Sequence, residues 1–199
     1  MNKSRRYLLG FLILALMQAV QAYAQRISFG TYATDDIVLT ALGTGELNFN
    51  NKQPVIKSGD VITINLTDNS TAVLSVTGNR HLDVTLTVEA PTVLELDASN
   101  TIPLVLRFAY SNQGLAESSA KAAAVEVPLG FNSATFPLQR RAPGTPPPPP
   151  PTPGHGGYTA PTATAYVFIY GTLGTVPGNA AAGLYSGQIN IRVEYSTYD

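Results

Sequence analysis

The sequence predicts an all-β fold, a single antiparallel β-sandwich. Three observations carry this expectation. Apolar residues recur at every second position in several runs. Short turns rich in Gly, Pro, Asn and Asp separate those runs, and only one stretch has a helix-forming composition. Taken from the start of the chain, each segment has its own reason.

Residues 1–24 read as a secretory signal peptide of bacterial type. Lys3, Arg5 and Arg6 form a basic start, an apolar run extends from Tyr7 to Met17, and Ala22-Tyr23-Ala24 is a small-x-small cleavage site. A membrane anchor needs about 20 apolar residues, whereas Gln18 and Gln21 interrupt this run. Cleavage after Ala24 leaves residues 25–199 as one domain, exported to the periplasm, the cell surface or the medium, with no later stretch fit to span a membrane. It lowers the basic residues from 12 to 9 against 13 acids, a net charge of −4 with the charges scattered singly. That distribution lacks the basic footprint of a nucleic-acid binder. The chain has no Cys, so its stability must come from apolar burial and strand ladders, and thiolate metal sites and thiol chemistry are excluded.

After the opening Ile27-Ser28-Phe29-Gly30, the segment holding Ile37, Leu39 and Ala41 alternates. Val61 to Leu66 and Val73 to Thr77 follow as strands, joined through Asp68-Asn69-Ser70, with a turn at Gly78-Asn79-Arg80. Leu82 to Glu89 is the clearest case, with Leu82, Val84, Leu86 and Val88 interleaved by Asp83, Thr85, Thr87 and Glu89. That is a half-buried strand with one wet face. Val93 to Leu96 and Leu104 to Tyr110 continue the series. Leu115 to Ala124 favours either a short helix or a loop. Tyr166 to Leu173 is an aromatic strand, and Gln188 to Tyr195 alternates once more through Ile189, Ile191, Val193 and Tyr195.

Residues 142–157 stand apart. Six consecutive prolines, Pro146 to Pro151, lie among Gly and Thr, and as an extended helix they span roughly 19 Å. An interdomain linker is the obvious reading. The residues beyond Gly157, however, hold only two clear strands, too few for an independent sheet. The stretch is therefore expected to be a proline-rich loop inserted within one domain.

The catalytic inventory is thin. His81 opens a strand and His155 sits in the proline-rich loop, neither with a second ligand at metal spacing. Asp35 and Asp36 are adjacent, so an extended chain points them to opposite faces. Asp68-Asn69-Ser70 and Asp97-Ala98-Ser99-Asn100 lack the spacing of a calcium loop and read as Asx turns. No Ser lies in a Gly-x-Ser-x-Gly elbow. No enzymatic activity, cofactor or metal is expected, and the tyrosines fit sheet faces.

Two segments carry a resemblance. Tyr166-Val167-Phe168-Ile169-Tyr170-Gly171-Thr172-Leu173, followed by Ala182-Gly183-Leu184-Tyr185-Ser186-Gly187 and the strand ending at Tyr195, resembles the end of the bacterial family called domain of unknown function 4402. Ile27-Ser28-Phe29-Gly30 looks like that family's opening strand. The family is similar in turn to spore-coat-U-like and chaperone–usher pilin domains, which are secreted Ig-like sandwiches. The resemblance implies an Ig-like fold and assembly by β-strand addition, in which one subunit's N-terminal arm completes its neighbour. The chain departs from pilins in having no disulfide, in its proline insertion and in a penultimate Tyr198 out of phase with the last strand.

These readings converge on an exported structural or adhesive surface protein, a pilin-like subunit associating with itself or with other surface subunits. The residues expected to carry strand exchange are Ile27, Phe29, Ile37 and Leu39 near one end and Ile189, Ile191, Val193 and Tyr195 near the other. A first strand fully paired within a monomeric chain would count against exchange. The alternative is a soluble periplasmic or secreted module that binds a glycan or protein through exposed tyrosines or loops. A hydrolase relying on His81 or Asp83 is the remaining reading.

Overall fold

A computed structural model describes residues 24–33, 36–141, 144 and 161–196. Residues 1–23 of the expected leader, the proline run, His155, Asp35 and Tyr198 lie outside the described residues. The strands are β1 (Ala24–Ala33), β2 (Val38–Leu42), β3 (Glu46–Asn48), β4 (Ile62–Ile64), β5 (Ala72–Asn79), β6 (Asp83–Glu89), β7 (Val93–Asp97), β8 (Asn100–Ser111), β9 (Val125–Glu126), β10 (Ser133–Pro137), β11 (Thr162–Leu173) and β12 (Leu184–Tyr195). One short helix, α1 (Glu117–Ala122), lies between β8 and β9, and a 3-10 turn (Phe49–Asn51) follows β3.

The fold is all-β, and the strands join in one curled, mixed sheet. Its main path runs β10-β6-β12-β7-β8-β11-β5-β2, with β1, β3, β4 and β9 attached to it. The curl depends on β8, which serves both halves. Its first residues pair with β7, up to Val93↔Pro103, and the rest pair with β11, from Leu104↔Leu173 to Tyr110↔Val167 and Ser111↔Tyr166. Pro103 marks the change of partner. Proline has no N–H to give to a ladder, so it suits a place where pairing passes from one strand to another. The Pro103 carbonyl instead accepts from Gly174 N–H at 2.7 Å, and Leu104 N–H donates to the Thr92 carbonyl at 2.8 Å.

The curl wraps a single apolar cluster. Val84, Leu86, Ile189, Ile191 and Val193 enter it from one half of the sheet; Leu74, Val76, Val167 and Ile169 enter from the other. The period-2 reading of β6 holds residue by residue. Val84 and Leu86 are fully buried and Val88 nearly so, while Thr85 and Thr87 are only partly covered. Leu82 falls outside the strand and is exposed. The abundant threonines also have a place. Three cross-strand pairs in register, Thr85↔Thr135, Thr77↔Thr164 and Thr63↔Thr172, join hydroxyl to hydroxyl at 2.9, 2.8 and 3.1 Å. Such pairs add a few tenths of a kcal/mol each, up to about 1.

Several expectations shift in detail. Gly78 and Asn79 continue β5 instead of turning, and the turn falls at Arg80-His81. Val61 and Leu66 flank β4 without joining it. Leu115–Ala124 does contain a helix, though only Glu117–Ala122, with Ala120 as its buried contact. The Asp97 carboxylate accepts from the backbone N–H of Ser99 and Asn100 at 2.8 and 3.0 Å, as an Asx turn requires. Asp68 instead reaches back to Asn65 N–H at 2.9 Å and to the Lys52 ammonium at 2.7 Å. Every strand partner of β11 and β12 precedes the proline stretch: β4, β5 and β8 for β11, and β1, β6 and β7 for β12. The larger correction concerns direction. The expected purely antiparallel arrangement gives way at the ladder between β1 and β12, which is parallel. Strands from opposite ends of a chain are not bound by a hairpin, so either direction is open to them.

Leu86 occupies the middle of β6, between β10 and β12, with no exposed surface. Leu86→Ala is expected to lower unfolding free energy in urea by about 2–5 kcal/mol. Val105→Thr, on the wet face of β8, should change it by less than about 0.5 kcal/mol.

Candidate assembly site at the paired terminal strands

The parallel ladder between β1 and β12 runs through ten residue pairs, from Ala24↔Leu184 to Ala33↔Val193. Residues directly opposite share a face, so Gln25, Ile27 and Phe29 lie inward beside Tyr185, Gly187 and Ile189. Gln25 and Ile27 are fully buried, Phe29 is partly buried against the core, and Thr31 and Ala33 are exposed. The grip of β1 on the core is therefore strongest at its start and fades toward Ala33.

On its other edge β1 meets β3 over three residues only, Arg26↔Asn48, Ile27↔Leu47 and Ser28↔Glu46. Arg26 holds Glu46 with two hydrogen bonds, one from Nε at 3.0 Å and one from the end of the guanidinium. Beyond Ser28, no strand among the described residues pairs with that edge. The other edge of β12 is covered by β6 along Asn190–Tyr195 and by β7 at Ser186.

The glycine-bracketed start of β12 is explained by this packing. Tyr185 is fully buried and its hydroxyl donates to the Ala181 carbonyl at 2.9 Å. A Cβ on Gly183 would meet Leu96 Cδ1 at 2.7 Å, and one on Gly187 would meet Leu94 Cδ2 at 2.9 Å and Pro91 Cγ at 3.1 Å. Both glycines thus give room to the leucine side chains of β7, which would have to shift for a larger residue.

The expected exchange residues divide into two groups. Ile27 and Phe29 join Ile189, Ile191 and Val193 at the terminal ladder. Ile37 and Leu39 go elsewhere: Ile37 is buried just before β2, and Leu39 pairs with Val76 of β5. Tyr195 ends the ladder with β6 opposite Val84, and its hydroxyl accepts from Asn79 N–H at 2.8 Å. Leu47, Tyr185 and Gly187 also shape the site but were not singled out for it. Only Tyr185 and Gly187 carried a sequence signal, in the Tyr-Ser-Gly segment.

Other chemistry is sparse and dispersed. His81 lies in the turn between β5 and β6, its backbone N–H bonded to Asn79 Oδ1 at 3.0 Å. Among the described residues, no group of three or more His, Cys, Asp or Glu is placed to hold a metal ion. A shallow groove of about 390 Å³ lies on the outward face of β6 and β12, lined by Thr87, Glu89, Asn190, Arg192 and Glu194. Arg192 and Glu194 pair across it at 2.8 Å. Of the tyrosines, Tyr110 stacks on Phe136 with ring centres 4.0 Å apart, and Tyr170 is buried in β11. Tyr170 donates to Glu126 at 2.7 Å. Burial, then the Glu126 carboxylate, pushes its phenol well above the usual range, against a weaker opposing pull from Arg107. Tyr110, Tyr166, Tyr170, Tyr185 and Tyr195 thus serve packing before display.

No family model matches this chain, and no curated protein matches it either.

A phenol raised in the folded state contributes stability that is complete below the unfolded pKa of about 10 and is lost as pH climbs above it. Alkaline denaturation should therefore begin above about pH 10. Tyr170→Phe should remove part of that alkaline loss while costing about 1 kcal/mol at neutral pH, as read from melts across the two pH ranges.

Proposed function

We propose that this is an exported, non-enzymatic structural or adhesive surface protein, whose first strand is its element of assembly. The observation that carries the reading is the place of β1. It lies along the whole inner stretch of the last strand, parallel to it, and its second edge is held by three residues of β3. A strand at a chain end, seated in a groove between two others, can be supplied by its own chain or by a second copy without changing any contact. The connection from Ala33 to Val38 is short in sequence, and a short hinge invites exchange where closing it is strained.

On this reading the curled sheet is an Ig-like sandwich of the kind that the resemblance to domain of unknown function 4402 implies. The residues 1–24 are a leader removed on export, the proline-rich stretch is a loop within one domain, and the partners are further copies or other surface subunits. The pairing of β1 within its own chain is the closed, monomeric form. It meets half of the condition set against exchange, and the state in solution decides the other half.

Single cysteines make the test direct, because the chain contains none. Ser28 and Gln188 lie opposite each other on the outward face of the ladder and are both exposed. A Ser28→Cys copy mixed with a Gln188→Cys copy and oxidised should give a disulfide-linked heterodimer. Wild-type material should form concentration-dependent ladders on a native gel. A protein that stays monomeric, with no crosslink between the two variants, would make β1 a permanent part of its own fold and sink the proposal.

A further inference from the structure

The first residue of the mature chain carries an unsolved polar problem. Gln25 is fully buried, and both its side-chain Nε2 and Oε1 lack a hydrogen-bond partner. Its backbone nitrogen donates to Asn50 Oδ1 at 2.6 Å, beside the 3-10 turn. Burying an unpaired amide costs about 1–3 kcal/mol. Cleavage after Ala24 would make matters worse, because the Gln25 nitrogen would then become a partly buried α-ammonium group. Its acceptor, Asn50 Oδ1, is neutral, and a charge drawn out of water without a counter-charge costs more than a neutral group.

The geometry points to a covalent remedy: after leader removal, Gln25 cyclises to pyroglutamate. This rests on the reading of residues 1–24 as a cleaved leader. The neutral α-amine attacks the side-chain carbonyl carbon Cδ. A Cδ–N lactam bond forms, the Cδ–Nε2 bond breaks, and one amine proton leaves with Nε2 as ammonia. No electrons are gained or lost and no co-reactant is needed.

Each unfavourable group changes as a result. The charge is gone. The orphaned Nε2, with its two donors, is gone. The lactam nitrogen keeps one hydrogen, the number the Gln25 nitrogen now spends on Asn50, and only the old side-chain oxygen remains to be satisfied. The consequence falls on the assembly strand, since Gln25 is two residues from Ile27 and begins the best-buried part of β1. A closed ring secures that end, and a charged terminus loosens it.

Mass spectrometry of the exported protein tests this. The N-terminal peptide should begin at residue 25, be about 17 Da lighter than its linear form through loss of ammonia, and resist Edman degradation. A linear Gln25 terminus would overturn the cyclisation while leaving the leader reading intact. A terminus at another residue would overturn both. Gln25→Asn, whose side chain is too short for a five-membered lactam, should keep its free amine and show faster hydrogen exchange over residues 26–33. Equal exchange in the two proteins would overturn the role given to the ring.

Discussion

The fold depends on the closure of its core by the first strand. Most neighbours in the rest of the curled sheet are distant in sequence and lie antiparallel, with β8 passing from one half to the other at Pro103. At β12 the situation differs. Among the described residues, one of its edges has β6 and β7, and the other has only β1. Take β1 away and the backbone groups of Leu184–Val193 on that edge lose their partners, while the core loses the cover of Ile27. Burying one such side chain stabilises by about 1.5–3 kcal/mol, and an unpaired backbone group shut away from water costs a similar amount. The first and last strands are thus bound by the same ladder that completes the interior.

Much of this could be seen in the sequence where the signal is local. The alternation of Val84, Leu86 and Val88 names the buried face of β6, and that of Ile189, Ile191 and Val193 names the face of β12, because strand geometry alone decides which side each residue takes. Asp97 announces its turn by the groups it can accept from. Other features escape because their cause is distant. Phe49 and Ile56 are fully buried though they lie outside any strand, and nothing near them in sequence says so. Glu46–Asn48 is too short to show a period. Pro103 reads as a break in a run, yet it sits within β8 because the strand changes partners there.

The candidate site shows the same division. Its strands were legible and their pairing was not. Alternation places Ile27 and Phe29 on one face, but no local pattern states which strand lies beside them, in which direction or in what register. Ile37 and Leu39 have the same alternation, yet Leu39 pairs with β5 and Ile37 is buried just before β2, so periodicity alone could not sort the two sets. The glycines at 183 and 187 are the exception. Their reason is also distant, in Leu94 and Leu96, yet an apolar strand that breaks its own pattern with glycine signals a close approach before the neighbour is known.

Whether the ladder joins one chain or two is a question of concentration rather than of contacts. The pairs from Gln25↔Tyr185 to Ala33↔Val193 are the same in either case, so their energy cancels from the comparison. What remains is the connection between Ala33 and Val38. When it spans the distance without strain, it presents β1 to its own groove at an effective concentration in the millimolar range or above, and the closed monomer prevails in dilute solution. Strain in so short a connection would lower that figure steeply. At a surface where copies are crowded, or along a growing filament where each exchange offers a fresh open groove, the balance can then pass to the shared form with no new interaction. The residues that build the groove set how tightly β1 is held; the hinge sets by whom.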